Sequence, residues 1–440
     1  MPWLWAKRSA STLRVPTPAA ERITAAERKT ILIYAGVMIV VLSFINPSTG
    51  LFIIPLSFIL KNKLHLSAND LAVFGLWAAI PGYLSFVFGI ARDFWNPLGR
   101  GDRGYFILFG AIAAVLLAAL AFLDVSEPML LACATVMAIS FLFLWGAWNG
   151  LASTIGQQHA MTGQMSAIWN FAGTSSMVLA LVVGGALSGI LENQSANFAV
   201  RSLFLIAAAF MAVVAGLGLW KPGAVFSGLR GQHREPRHFV ADLARLIRHW
   251  PIYPALIVWL LWNFSPGTTT VLQYYLSNIL HGSDAQWGAY NAISFAAAVP
   301  AFALFGYLSR KYSLATLLWW GTLIGVPQMI PLLFVHSANG ALIAAVGVGL
   351  LGGIATAAYM DLLIRACPRG LEGTMMMLSW SMYALAVNVG NYWGTDIYQY
   401  HGGFVACVWA TTIVYALIVP VILFVPKSLI SDADAGVVSN

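Results

Sequence analysis

The sequence predicts an all-α integral membrane protein, with about twelve transmembrane helices in two pseudo-repeated six-helix bundles. Three observations predict it. Hydrophobic residues make up 60% of the 440 positions and charged ones only 9%, against roughly a quarter charged in an ordinary soluble domain. Apolar windows of the ~20 residues needed to cross a hydrocarbon core of roughly 30 Å recur along the chain. If those windows cross alternately, 20 of the 23 Lys and Arg fall on one side, the side that is cytoplasmic in helical membrane proteins.

The elements follow in order. Residues 1–30 form a basic leader without an apolar core and cleavage site, which reads as a cytoplasmic segment and not a secretory signal. The N-terminal bundle, 31–220, holds windows at 31–60, 69–91, 104–123, 128–151, 164–191 and 199–220. The first is longer than a straight crossing requires and is interrupted by Asn46-Pro47-Ser48-Thr49-Gly50. Residues 221–250 are a hydrophilic cytoplasmic linker. Its 241–249 stretch, with Leu243 and Ile247 at helical spacing, fits either a membrane-surface helix or a plain connection.

The C-terminal bundle, 251–426, repeats the plan with windows at 251–280, 285–309, 314–335, 340–364, 372–396 and 403–426. Its first window is again long and is interrupted by Asn263-Phe264-Ser265-Pro266-Gly267. Long interrupted spans at corresponding places in two halves suggest a repeat. Asp70 and Asp284 open the second and eighth windows as candidate N-caps. The tail, 427–440, is cytoplasmic, and from Asp432 onward its polarity predicts disorder.

Charge tests the even count. The leader, the loop after the second window (Arg92, Arg100, Arg103), the linker, and the later loops with Arg310, Lys311, Arg365, Arg369 and Lys427 share one side. Only Lys61, Lys63 and Arg201 fall opposite. The net charge of +7 is therefore a topology signal, and no soluble basic module for nucleic acid is present. Cys133, Cys367 and Cys407 lie in or beside apolar spans as buried thiols. The eight His residues have no paired metal spacing, and Met375-Met376-Met377 point around a helix. No metal, no cofactor and no enzymatic constellation is expected: GxSxG, HExxH and P-loop strings are missing.

Two echoes tie the halves together. The second window ends in GIARDFWNPLGRGDRGY, with Gly89, Asp93, Gly99, Arg100 and Arg103; the eighth ends in GYLSRKYS, with Gly306, Arg310 and Lys311. A Gly one turn before a charged helix end lets a neighbour pack closely. Trp148-Asn149-Gly150 in the fourth window corresponds to Met360-Asp361-Leu362 in the tenth, and Gly163 and Gly373 open the helices that follow.

The loop motif resembles the signature loop of the major facilitator superfamily. That resemblance implies secondary transport and an interdomain latch of Gly89, Asp93, Arg100, Arg103, Gly306 and Arg310. Within it the chain resembles the folate/biopterin transporter family, through the run from Trp262 to Leu280, Asp361, and the run from Cys367 to Gly394. The chain departs from that family at Asn149, where an acidic residue is expected.

Ionisable side chains inside spans are costly and mark functional positions. Asp361, Arg365 and Glu372 are the candidates: Asp361 and Arg365, spaced i and i+4, form either a gating or coupling site, possible for protons, or a structural ion pair at a helix end. Asn46, Trp148, Asn149, Trp169 and Asn170 in the first half mirror Asn263, Gln273, Tyr274, Trp380, Tyr383 and Asn388 in the second, as candidate substrate contacts near the midplane. Aromatic and amide groups with almost no midplane charge suit a small planar or amphipathic organic solute better than a bare ion, a dianion would want a buried cation, and the resemblance implies a pterin-like solute. The expected partners are that solute, protons and lipid, with the chain a monomer in the cell membrane, a bacterial inner membrane by its charge bias. The alternative is a transporter-fold protein serving in cofactor or complex assembly, or as a receptor.

Overall fold

The computed structural model describes residues 23–66, 68–226, 239–268, 270–282 and 284–434. Span 1 is Ala25–Phe44, continued after a break by Ile53–Phe58 and the wide turns Ile59–Lys63. Span 2 is Ala68–Tyr83 followed by Ser85–Phe94. Spans 3 to 6 are Asp102–Leu120, Glu127–Gln158, Thr162–Glu192 and Ala196–Leu219. Span 7 is Ile252–Asn263 followed by Thr270–Tyr274 and Tyr275–Ile279; span 8 is Asp284–Leu308; span 9 is Leu314–Gly325 and the tighter Val326–Phe334. Spans 10 and 11 are Ala338–Ala366 and Glu372–Tyr400, and span 12 is Gly403–Ala416 with Ile418–Ile422.

The breaks have local causes. Asn46 stops span 1 by folding its side chain onto the backbone, Oδ1 accepting from the Ser48 N–H at 2.9 Å, and Pro47 follows. In span 2 Pro81 contributes no N–H, and the Leu84 N–H turns back to the Pro81 carbonyl. Span 7 stops at Asn263 before Pro266, and Gly267 donates its N–H to Thr411 Oγ1 of span 12 at 2.9 Å. Hydroxyl caps start the regular helices: Thr24 forms a reciprocal capping box with Glu27, and Ser126, Ser195, Ser313 and Ser337 each accept an N–H of the first turn.

Span ends depart from the predicted windows where helix outlasts hydropathy. Span 1 begins six residues early, because Glu27, Arg28 and Lys29 are tolerated in a capped first turn. Span 4 runs on through Ala152 to Gln158, where small and hydroxylated residues are buried against other helices. The side chains of Asp70 and Asp284 lie outside the described residues.

Spans 1–6 and 7–12 make two six-helix halves around one apolar core, with a smaller cluster of Val271, Leu276, Tyr290, Phe404 and their neighbours in the second half. The halves meet chiefly in four pairings: Ser85–Phe94 and span 4 lie on span 11, and span 5 lies on spans 8 and 10. The linker helix Phe239–Arg248 carries Arg245, which donates to the Arg369 carbonyl, while Ile247 and Trp250 are exposed.

Candidate functional site

The interface between the halves has two different ends. At the end bearing the basic loops it is closed by ion networks. Between that end and the opposite face lies a cavity of about 600 Å³.

The first network centres on Arg92, buried at the end of span 2. Its Nε and Nη2 donate to both oxygens of Asp102 at 2.6 and 2.7 Å, and its Nη1 donates to Asp93 at 2.9 Å. Glu372 of span 11 approaches the same guanidinium at 3.8 Å. Asp93 in turn reaches the other half. Its Oδ1 accepts the Gly373 N–H at 3.1 Å, and its Oδ2 accepts the Thr374 N–H at 2.6 Å and the Thr374 hydroxyl at 2.7 Å. Helix N-termini leave their first N–H groups without internal partners, and a carboxylate there also meets the positive end of the helix dipole. The approach requires glycine: a methyl group on Gly89 would meet the Gly373 carbonyl and stand 2.8 Å from Met377 Cβ. One turn further in, Ser85 and Ser381 hydroxyls share a hydrogen bond of 2.7 Å between the halves.

The second network centres on Arg365, which holds the fully buried Asp361 of its own helix at 2.9 Å. The Asp434 carboxylate joins it at 3.2 Å. The expectation of disorder from Asp432 onward is corrected here: Asp434 is 4% exposed, because buried N–H donors replace its water. Residues 435–440 lie outside the described residues. Gln157 of span 4 adds two bonds across the interface, to the Ile364 and Cys367 carbonyls at 2.6 and 2.8 Å, and Ser166 of span 5 donates to Ala357 at 2.6 Å.

Other residues of the loop motifs lie elsewhere. Arg100 and Arg310 are exposed. Arg103 stays within the first half, donating to the Gly218 and Leu219 carbonyls and lying over the Phe226 ring. Gly306 faces span 5, where a methyl group would come within 2.8 Å of Ala167 Cβ.

The cavity is lined by Asn46, Ser48, Thr49 and Phe52 of span 1, Phe74 and Tyr83 of span 2, Phe141 of span 4, and Trp380, Tyr383 and Asn388 of span 11, among others. None of its described lining residues carries a charge. Trp380 and Tyr383 stack at 5.1 Å and form an aromatic wall. Behind it a packed aromatic layer continues through Trp145, 5.6 Å from Trp380, to Trp169 at 5.4 Å and Trp148. The buried indole N–H groups of Trp145 and Trp148 have no hydrogen-bond partner among the described residues.

Of the predicted substrate contacts, Asn46, Trp380, Tyr383 and Asn388 come together on this cavity. Trp148, Asn149 and Trp169 lie in the packed layer, and Asn149 donates to the Trp145 carbonyl one turn back. Asn170 and Asn263 make the same bond one turn back, to Ser166 and Trp259. The Gln273 backbone carbonyl accepts from the Ser277 hydroxyl, and Tyr274 is half exposed on the outer part of span 7. Sequence reasoning passed over Arg92, Asp102, Gln157 and Asp434. A hint existed for the first two, since oppositely charged residues ten positions apart flank a Gly-rich turn; Asp434 gave none.

The family model described as Major Facilitator Superfamily matches residues 39–391. A folate-biopterin transporter of Synechocystis sp. is 22% identical over 363 residues, covering 78% of this chain and 70% of the relative. Among solved structures, the major facilitator transporter FucP in its outward conformation superposes with a TM-score of 0.68 at 15% identity, over 91% of this chain and 99% of that one. The proton:xylose symporter XylE, bound to 6-bromo-6-deoxy-D-glucose, gives 0.63 at 12% identity, over 92% and 97%.

Proposed function

The chain belongs to the Major Facilitator Superfamily and is a multi-pass membrane transporter, not an enzyme; from that premise we propose that it moves a small, uncharged, flat-ringed organic solute by alternating access of its two halves. The cavity carries this reading. Its volume of about 600 Å³ falls in the range of small-molecule sites, and the Trp380–Tyr383 wall offers a stacking face while Asn46 and Asn388 offer both donors and acceptors. A pterin ring has that combination of flat face and amide-like edges, and the Synechocystis relative bears a folate-biopterin transporter's name. A dicarboxylate fits poorly, because an anion leaving water for a site without cations keeps most of its desolvation cost.

The networks at the basic end act as the gate. That end is cytoplasmic by its charge bias, so both termini lie inside a cell membrane, a bacterial inner membrane by the relative's source. With the gate shut, solute enters from outside. Opening separates Asp93 from Gly373 and Thr374, and Gln157 from the end of span 10, while the outer parts of spans 2 and 11 close over the cavity. Asp361, fully buried between the halves and held by Arg365 at 2.9 Å, is the carboxylate we assign to gating or coupling.

Uptake into proteoliposomes, with and without an inward proton gradient, tests both parts. Accumulation of neutral pterins or other flat solutes, weakened in Trp380→Ala and uncoupled from the gradient in Asp361→Asn, supports them. Failure of every solute to accumulate, with the protein holding a stable partner after purification, favours an assembly or receptor role instead.

A further inference from the structure

The two helices that meet the gate from opposite halves begin alike. Span 11 follows Gly370 with φ +79°, Leu371 as N-cap, and Gly373 second in the helix; span 5 follows Ala160 with φ +46°, Met161 as N-cap, and Gly163 second in the helix. In each, the second and third N–H groups have no partner within their own helix. On span 11 Asp93 takes both, one on each oxygen. On span 5 the pattern is the same: Asp434 Oδ1 accepts the Gly163 N–H at 3.2 Å and Oδ2 accepts the Gln164 N–H at 2.9 Å.

The carboxylates come from different places. Asp93 stands four residues after Gly89, but the corresponding position after Gly306 is Arg310, which is exposed. The second half therefore has no carboxylate at that position. We propose that residues 427–434 are a detachable strap, in which Asp434 supplies to span 5 the latch that Asp93 supplies to span 11, so that the tail governs how readily the basic end opens.

The strap is anchored at several points. Ile430 is buried, the Asp434 N–H donates to the Ser309 carbonyl at 2.9 Å, and Arg365 donates to the Asp432 carbonyl at 2.9 Å. The charged groups around Asp434 are Asp361 and Arg365 of span 10, Arg28 of span 1, whose Nε donates to Gln164 Oε1 at 2.7 Å, and Asp432 of the tail itself; Arg310 after span 8 faces Arg28.

Burial, and then the neighbouring Asp361 carboxylate, push the Asp434 pKa up to about 7. A detached tail in water returns to the ordinary carboxylate value of about 3.9. Docking therefore retains a proton between those values. Strap binding is strongest below the lower one and weakens as pH rises through about 7. The strap's effect on transport rests on the alternating-access reading, but its attachment can be tested without transport.

Hydrogen–deuterium exchange of the purified full-length protein reads the Gly163 and Gln164 amides directly, with Gly373 and Thr374 as internal reference. We expect Asp434→Ala, and deletion of 432–440, to speed exchange at the first pair at least tenfold while the second pair changes less than twofold. In the wild type, after correction for intrinsic exchange rates, protection of the first pair should fall about tenfold between pH 6 and 8.5, again without change in the second. The wild-type titration decides the matter if a variant does not fold. Equal protection at Gly163 and Gln164 with and without the tail, or a flat wild-type profile at that pair, overturns the proposal.

Discussion

Arg92 is the residue on which most of the gate depends, since one guanidinium is shared by Asp93, Asp102 and Glu372 while 5% exposed. Removing one member of a buried, hydrogen-bonded ion pair costs on the order of 3–5 kcal/mol, because the other is left uncompensated. Asp102→Ala should therefore lower the thermal unfolding temperature in detergent markedly, and Arg92→Lys should recover little, as an ammonium lacks the fork that meets both Asp102 oxygens. An unchanged melting temperature in either variant would remove Arg92 from the centre of this account. In the cavity, Trp380→Ala should raise the half-saturation concentration for transport about tenfold, equivalent to ~1.4 kcal/mol. Trp380→Phe should lose much less, since it keeps a stacking face for Tyr383 and for solute. A binding isotherm measured on both variants distinguishes lost stacking from a general loss of packing.

At the scale of elements, the close approach of Ser85–Phe94 to the start of span 11 depends on glycine at both faces. Gly373→Ala places a methyl 2.7 Å from Arg92 Cδ and 2.8 Å from Asp93 Oδ1, contacts relieved only by displacing these buried, hydrogen-bonded side chains or the helix itself. The expected result is a wider basic end, read as a longer distance between spin labels placed after spans 2 and 10; an unaltered distance distribution counts against close packing as the gate. Sequence reading found Gly89 and Asp93 because they are spaced by one helical turn in one motif, and Gly373 because it opens the helix after the tenth window. It found the spans because lipid imposes a length and a composition, which eight of the described helices meet unbroken. It did not find the full length of span 4, whose last turns, Ser153 to Gln158, have a loop's composition and are helical only because span 10 supplies partners such as the Ile364 carbonyl for Gln157. Nor did it find the cavity's one-sidedness. Gln273 and Tyr274 mirror first-half positions in type, yet span 7 turns them away, and no local pattern records which face of a broken helix meets the other half.

For the whole molecule, the consequence of two like latches with carboxylates from unlike sources is an uneven gate. The span 11 latch is carried by Asp93, which is covalently part of the moving interface. The span 5 latch is carried by Asp434, 271 positions away from Gly163 in the chain, which is why polarity alone misrepresented it. A gate held by two separable contacts opens appreciably only when both are released, so loss of either should shift the population partly and loss of both should shift it further. Cys367 reports this, since it is 4% exposed between the halves and its carbonyl accepts from Gln157. With Cys133 and Cys407 replaced by Ser, alkylation of Cys367 at fixed pH should rise severalfold on deletion of 432–440, severalfold in Asp93→Ala, and by more than either in the combined variant. If the combined variant reacts no faster than Asp93→Ala, the tail carries none of the closure and the gate is held from one side alone.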